Sequence, residues 1–402
     1  MGSLPRRRRP NGRRAPSQAP LSERPKRAEA TLSERHNQLM GTTRHLVAIA
    51  AIVTLVVAVV GSSPSTAAAS RNAPLELVEP GAMIAAPNGA LFIYDSSLHE
   101  VLERSPAGTL TRVAGNGLAG ESGDHGPATS AEIEPVAALA IGPDGTLYLS
   151  GGGLVRAVSP SGEITTVIGG GTGTGPIADG TSARRAALGK AEGVAVSPSG
   201  QLCVSAPSYS QVLCLRDGRL YQLVDGKSFL GVDPLAPEDT APQPGPIAFD
   251  RAGNLYLGGS LPYVVFVRTP LGRLHAIGAL RWEPGDALAA GPPGSVLDAG
   301  NLELVRFSAS VHFSGAQDDG QELFDYLDVR GLVHHGAEIG PDGPGGVAVL
   351  PDGTAILDAV ALLGDIPANA PNRCEAVLVE IPTSGKARVL DAWPRRGSLH
   401  SC

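Results

Sequence analysis

Residues 137–150 read AALAIGPDGTLYLS: an apolar run, a turn carrying Gly145, then a second apolar run with alternating character. Four other stretches follow the same plan: AMIAAPNGALFIYD (82–95), GVAVSPSGQLCVSA (193–206), GPIAFDRAGNLYLG (245–258) and GVAVLPDGTAILDA (346–359). A weaker copy, LAAGPPGSVLDA, occupies 288–299. Two short apolar runs flanking a glycine turn predict a β-hairpin. A second glycine turn follows in SPAGTLTRV, SPSGEITTV, RDGRLYQLV, TPLGRLHAI and PTSGKARVL. In the first four units the two glycines are 19, 17, 18 and 19 residues apart, at 89/108, 145/162, 200/218 and 253/272. This constancy predicts two hairpins sharing a middle strand, hence four antiparallel strands per unit.

A lone four-stranded sheet leaves both faces wet, so repeated sheets must pack around an axis. The expected fold is all-β: a six-bladed β-propeller over 80–393, with seven blades open because the fifth unit is degraded. There QDDGQELFDYLDV is expected to intrude before GLVHH resumes; in the sixth, LLGDIPANAPNR is inserted between the second and third strands. Closure is expected from NAPLELVE (72–79), as an edge strand beside the last unit. Composition agrees: 52 Gly and 34 Pro among 402 residues imply many turns, and 4% aromatics imply an aliphatic core.

Before the repeats, residues 1–44 form a basic tail, expected to be disordered, with eleven Arg and Lys against three Glu, a formal +8. The whole chain is −7, which leaves −15 on the remainder. An acidic body argues against a nucleic-acid partner, because such affinity rests on clustered cations. Residues 45–61 enclose the uncharged run LVAIAAIVTLVVAVV (46–60), expected to be helical. Fifteen helical residues span about 22 Å, short of a hydrocarbon core of roughly 30 Å, which favours a signal peptide over a full membrane span. Ala67 and Ala69 are placed as a cleavage motif before Ser70, and 62–79 reads as a linker. Met40 offers an alternative start that shortens the basic lead; otherwise the tail sits on an uncleaved anchor through 46–60. Either way the body is expected outside the cytoplasm, at the cell membrane or secreted. Residues 394–402 form a C-terminal tail.

Candidate chemistry is sparse. GNGLAG (115–120) satisfies the dinucleotide pattern GxGxxG, but a fingerprint needs a helix opening behind it. Glu121, Ser122, Gly123, Asp124, His125, Gly126 and Pro127 follow instead, so the stretch reads as a connector. GGGTGTG (169–175) holds the corresponding place one unit later, and no GxxxxGK[ST] occurs. Glu121 and Asp124 are too few for a calcium site of six to eight oxygens, and read as a solvated loop. His334 and His335 would point to opposite faces of a strand, while His125, His275 and His312 lie in different units. Neither GxSxG nor HExxH is present. No catalytic, cofactor-binding or metal-binding residue is assigned.

Four cysteines in an exported chain permit two disulfides and three connectivities. Cys203 and Cys214 are symmetric about a turn at 206–210 and are expected to pair across adjacent strands, leaving Cys374 with Cys402.

The stretch GTLTRVAGNGLAGESGDHGPATSAEIEPVAALAIGPDGTLYLS (108–150) resembles consecutive NHL repeats of bacterial exported proteins. In that family a strand ending V-A-G-x-G leads through G-D-x-G-P-A-x-x-A to the next blade. A second copy runs from Ile164 to Gly200, and the likeness thins after Leu230. The family's Asn-Arg-Ile/Val-Arg run is replaced by HEVLERS, GLVRAVS, SQVLCLR and YVVFVRT, so a shared ligand does not follow. The resemblance implies an extracytoplasmic propeller acting as a binding or sensor module for an unidentified protein or envelope ligand. Recognition is expected on the long loops, 311–328 and 362–373. The alternative is a metal-dependent propeller lyase or hydrolase with its site at the central axis.

Overall fold

A computed structural model describes residues 75–229, 232, 242–260, 264–279, 287–300, 303–308, 325–327, 333–334, 337–340, 346–362, 374–383 and 386–394. All belong to the compact unit Pro74–Cys402; the unit Met1–Ala73, with the basic tail and the apolar run 46–60, lies outside the described residues. Among the described residues no helix is long and apolar enough to cross a membrane.

Six antiparallel sheets follow one another along the chain, one per predicted unit. Blade one holds Pro80–Ala85, Leu91–Asp95, Glu100–Arg104 and Leu110–Ala114; blade two holds Ala138–Ile141, Leu147–Gly151, Leu154–Val158 and Glu163–Ile168. Blade three holds Val194–Val196, Leu202–Ala206, Gln211–Arg216 and Arg219–Val224; blade four holds Gln243–Phe249, Leu255–Ser260, Val264–Arg268 and Leu274–Ala279. Blade five holds Ala287–Ala290, Ser295–Gly300, Glu303–Ser308 and Asp325–Leu327, and blade six Val347–Val349, Ala355–Leu362, Cys374–Ile381 and Arg388–Pro394. The repeat glycines 89, 145, 200, 253, 294 and 353 all sit in the first turn of their blades at φ between +82° and +90°. L-residues with a Cβ enter that region only at a cost, which is why the repeat is punctuated there by glycine.

The blades form a closed ring because each pair of neighbours shares an apolar seam. Tyr94 and Val101 meet Leu149 and Val158; Val155 and Ile168 meet Val194 and Val204; Val212 and Phe229 meet Ile247 and Leu257. Tyr256 and Val267 meet Val296 and Phe307, Leu297 meets Val347 and Val377, and Ile356 and Leu378 meet Met83 and Ile93 of blade one. The innermost strands converge, so one face must carry small side chains. Ala140, Ala195, Ala248, Ala289 and Ala348 occupy equivalent buried places in five of the six.

The closing seam differs from the sequence expectation. Over the described part of 72–79, residues 75–79, the backbone joins no sheet, and blade six draws its four principal strands from its own segment. Instead, fully buried Leu77 packs with Met83, Ile356 and Leu378, and the Arg104 guanidinium of blade one is paired with Asp391 of blade six. Gly346 lies against the Gly81 carbonyl so closely that a Cβ there would fall 1.9 Å from the oxygen. Among the described residues, side-chain and backbone packing therefore joins the ends without strand exchange.

Blade five is also corrected in detail. QDDGQELFDYLDV does not interrupt the blade before its last strand; it contains that strand, with Tyr326 opposite Val305. Val333–His334, expected to resume blade five, pairs with Ala337–Gly340 and so extends the sheet of blade six.

The glycine-rich connectors act as straps. The first leaves blade one at Gly115, whose N–H donates to the Ala128 carbonyl at 3.0 Å, while the Ala128 N–H donates to Gly162 of blade two at 2.7 Å. Gly126–Pro127 adds a short fifth strand to the outer edge of blade two. The second strap repeats this: Gly169 N–H to Ala183 carbonyl, Ala183 N–H to Gly218 carbonyl, and Thr181–Ser182 along the outer edge of blade three. Gly115 has φ +94°, and a Cβ would lie 2.2 Å from the His99 carbonyl, so close backbone approach requires glycine there.

An axial cavity as the candidate functional site

The innermost strand of each blade pairs on one side only, so six strand edges surround the axis. Where these strands run into their first turns they enclose a cavity of about 590 Å³. Its wall comes from all six blades: half-buried Ala85, Ile141, Val196, Phe249, Ala290 and Val349 form a collar, with Leu139, Val194 and Ile247 on the same strand faces. A concave, mainly apolar cavity with few polar groups is the usual form of a small-molecule site.

The mouth is formed by the turns. Five of them place a proline at the second residue after the strand: Pro87, Pro143, Pro198, Pro292 and Pro351. Blade four has Arg251 there, preceded by Asp250 where the others have Ala86, Gly142, Ser197, Gly291 and Leu350. Asp250 is 2% exposed and accepts five hydrogen bonds: Ala252 N–H at 2.9 Å, Asn254 N–H at 2.8 Å, Asn254 Nδ2 at 2.7 Å, Tyr256 hydroxyl at 3.1 Å and Gly294 N–H at 3.0 Å. The last bond ties the turn of blade four to that of blade five. Burial, then the charge of Asp250, raises the Tyr256 phenol well above its ordinary pKa, so it stays a donor to the carboxylate.

Arg251 is exposed, its Nη2 3.5 Å from the Pro351 carbonyl of blade six. Asp352, next in that turn, is exposed; its Oδ1 accepts the Thr354 N–H at 2.9 Å. On blade two, Asp144 accepts the Thr146 N–H at 3.1 Å and hydroxyl at 2.9 Å, and these bonds hold its carboxyl below the usual range. An apolar chamber with acidic and basic side chains at its mouth can hold a ligand by burial and select it by charge.

The residues singled out from sequence are dispersed. Glu121 is exposed, as expected of a loop, but Asp124 is taken up by Arg156: Oδ1 accepts Nη2 at 2.7 Å and Nε at 3.2 Å, and Oδ2 accepts the Thr166 N–H at 2.8 Å. Burial alone would raise that carboxyl; the Thr166 and Arg156 bonds together hold it below its ordinary range. His125 is exposed in the first strap, 3.7 Å from a Glu163 carboxylate oxygen, and half-buried His275 lies in blade four opposite Val267. Neither lines the axial cavity. His334 ends a short strand, while His312 and His335 lie outside the described residues. Cys203 and Cys214 are bonded, facing each other across adjacent strands of blade three. Cys374 begins a strand of blade six; its expected pairing with Cys402 lies outside the described residues, as do 311–324, 328 and 363–373 of the long loops.

Sequence reasoning missed Arg251 and Asp352. One signal was present: FDRAG breaks the strand-end, proline, x, glycine pattern that the other units keep.

No protein-family model matches the chain, and no curated protein is similar to it. Among solved structures it is similar to a streptogramin B lyase, at 10% identity over 78% of this chain and 86% of that one, with a TM-score of 0.44. It is likewise similar to the calcium-binding protein regucalcin of Agrobacterium tumefaciens strain C58, at 12% identity over 71% and 83%, TM-score 0.42. An auxiliary nutrient binding protein of Bacteroides thetaiotaomicron aligns at 10% identity over 70% and 66%, TM-score 0.43. The class defined by the strand pairing and seams is the six-bladed β-propeller.

Proposed function

We propose that this chain is an extracytoplasmic NHL-type propeller that works as a binding module, with the axial cavity as its ligand seat. The observation that carries the reading is the cavity itself: about 590 Å³, walled by aliphatic side chains from all six blades. That volume lies within the range of small-molecule pockets. The strap motif supports the NHL-type assignment, and the Cys203–Cys214 disulfide supports an oxidising compartment.

Ala290 is half-buried on the cavity wall, so Ala290→Trp should fill the chamber while leaving the seams intact. Native mass spectrometry of the full-length chain isolated from its own envelope should show a small-molecule adduct that this variant loses. An adduct retained by the filled variant would move the site elsewhere. Stoichiometric Zn²⁺ or Ca²⁺ in the same preparation would favour the metal-dependent enzyme instead.

A further inference from the structure

We infer, resting on the axial cavity as ligand seat, that the ligand is an apolar molecule carrying a cationic nitrogen, its body in the chamber and its charge beside Asp352. The wall supplies the first half of that description. Ile141, Val196, Phe249 and Val349 offer aliphatic and aromatic surface, which rewards burial of apolar area.

The mouth supplies the second half. The six turns carry Asp144, Asp250 and Asp352 against Arg251, a formal balance of −2 at the entrance. Asp250 is saturated by five donors and is closed to a ligand. Asp144 is turned to Thr146 of its own hairpin and is not part of the cavity lining. Asp352 is exposed and lines the cavity, with a single backbone bond to Oδ1. Arg251, the residue that replaces proline, stands in the same mouth and opposes any incoming cation while drawing an anion. Asp144 and Asp250 make no contact with a ligand but keep their charge, so the formal −2 of the entrance favours the cation, with Asp352 as its contact.

Octylamine, octanol and octanoate share one apolar body and differ only in head group, so calorimetric titration of the full-length chain with each at neutral pH separates the two halves. The amine is expected to bind tightest and octanoate weakest. Asp352→Asn keeps the Oδ1 acceptor for Thr354 but removes the charge; it should weaken the amine about two- to five-fold, the range of an exposed ion pair, and leave octanol unchanged. Arg251→Gln should shift the amine by a similar factor in the opposite direction. Saturable binding in which octanoate is preferred, or in which neither variant moves the amine, overturns the charge assignment and leaves the cavity standing. Absence of saturable binding by all three overturns both, and unfolding midpoints of the two variants guard against a folding defect.

Discussion

The first two straps have the same backbone path and hold it by different means. Both descend along the outer edge of the next blade, donate and accept at the same pair of alanines, Ala128 and Ala183, and bury a following Ala and aliphatic residue, Ala131 with Ile133 and Ala186 with Leu188. The first is locked by charge: Arg156, 5% exposed, grips Asp124 and also donates to the Glu132 carbonyl at 2.7 Å and the Ser122 carbonyl at 3.1 Å. The second is locked by neutral amides. Gln211, 2% exposed, accepts the Ile177 N–H at 2.8 Å and donates to its carbonyl at 3.0 Å, while Gln222 donates to the same carbonyl at 2.8 Å. Asp179 still takes the Gln222 N–H at 2.7 Å, as Asp124 takes that of Thr166. The repeat therefore specifies where the strap runs, and each blade supplies its own fastening.

The fastenings should fail differently. Asp124→Ala leaves a buried guanidinium without its counter-charge; with Asp124 partly exposed and two carbonyls remaining, the cost should be about 3 kcal/mol in urea unfolding. Arg156→Met removes the charge together with its need for a partner and should cost clearly less. If the two substitutions cost the same, desolvation of the cation is not what makes the first strap sensitive. Gln211→Leu should cost about 1–2 kcal/mol, because the Ile177 N–H is left buried without an acceptor while its carbonyl keeps Gln222.

Acid sharpens the contrast. The folded carboxyl of Asp124 titrates below its unfolded value, so its contribution is complete above about pH 4 and is lost as pH falls through the folded value. The native chain should therefore lose more stability than Asp124→Asn on going from neutral pH into that range. Asp95 works in the opposite sense: burial raises its carboxyl against four backbone N–H bonds, so its increment is present in acid and fades as pH rises through the raised value. Only the difference between the native chain and Asp124→Asn isolates the strap. An identical acid profile for both proteins would remove Asp124 from the account.

The smallest effect concerns one backbone angle. His125 and Gly180 hold equivalent places, donating to Ile164 and Leu220, with φ +64° and +79°. Gly relieves the left-handed strain that His bears, offset by its greater freedom when unfolded, so His125→Gly should gain about 0.5 kcal/mol in the same unfolding assay. A loss would mean that the contacts of the exposed imidazole with Glu163 and Thr165 matter more than its backbone conformation.

Most of the fold was legible along the chain. Six turn glycines, the near-constant spacing of the second turns, and the symmetric cysteines all depend on residues within about twenty positions of one another, and the Cys203–Cys214 bond followed from that local symmetry. The fourth strand of blade five is not legible in FDYL, because no turn glycine directly before it marks its pairing with Val305, whose partner Tyr326 lies far beyond the short hairpin spacing of the other blades. Asp124 reads as a solvated loop residue in the sequence because its partner, Arg156, is 32 positions away and sits in a strand whose alternation is ordinary.

Short-range periodicity by itself determined the class of element, the four-stranded unit and the places where the backbone must turn, since hairpins and left-handed glycines are local steric matters; the choice of six blades over seven came from the sheets themselves. Tertiary structure decided how the ring closes, which strap is ionic and what faces the axis. Those depend on residues distant along the chain, Arg104 with Asp391 across the two ends of the repeat series, Arg251 with Pro351 two blades apart and Asp124 with Arg156, and no local pattern encodes such meetings.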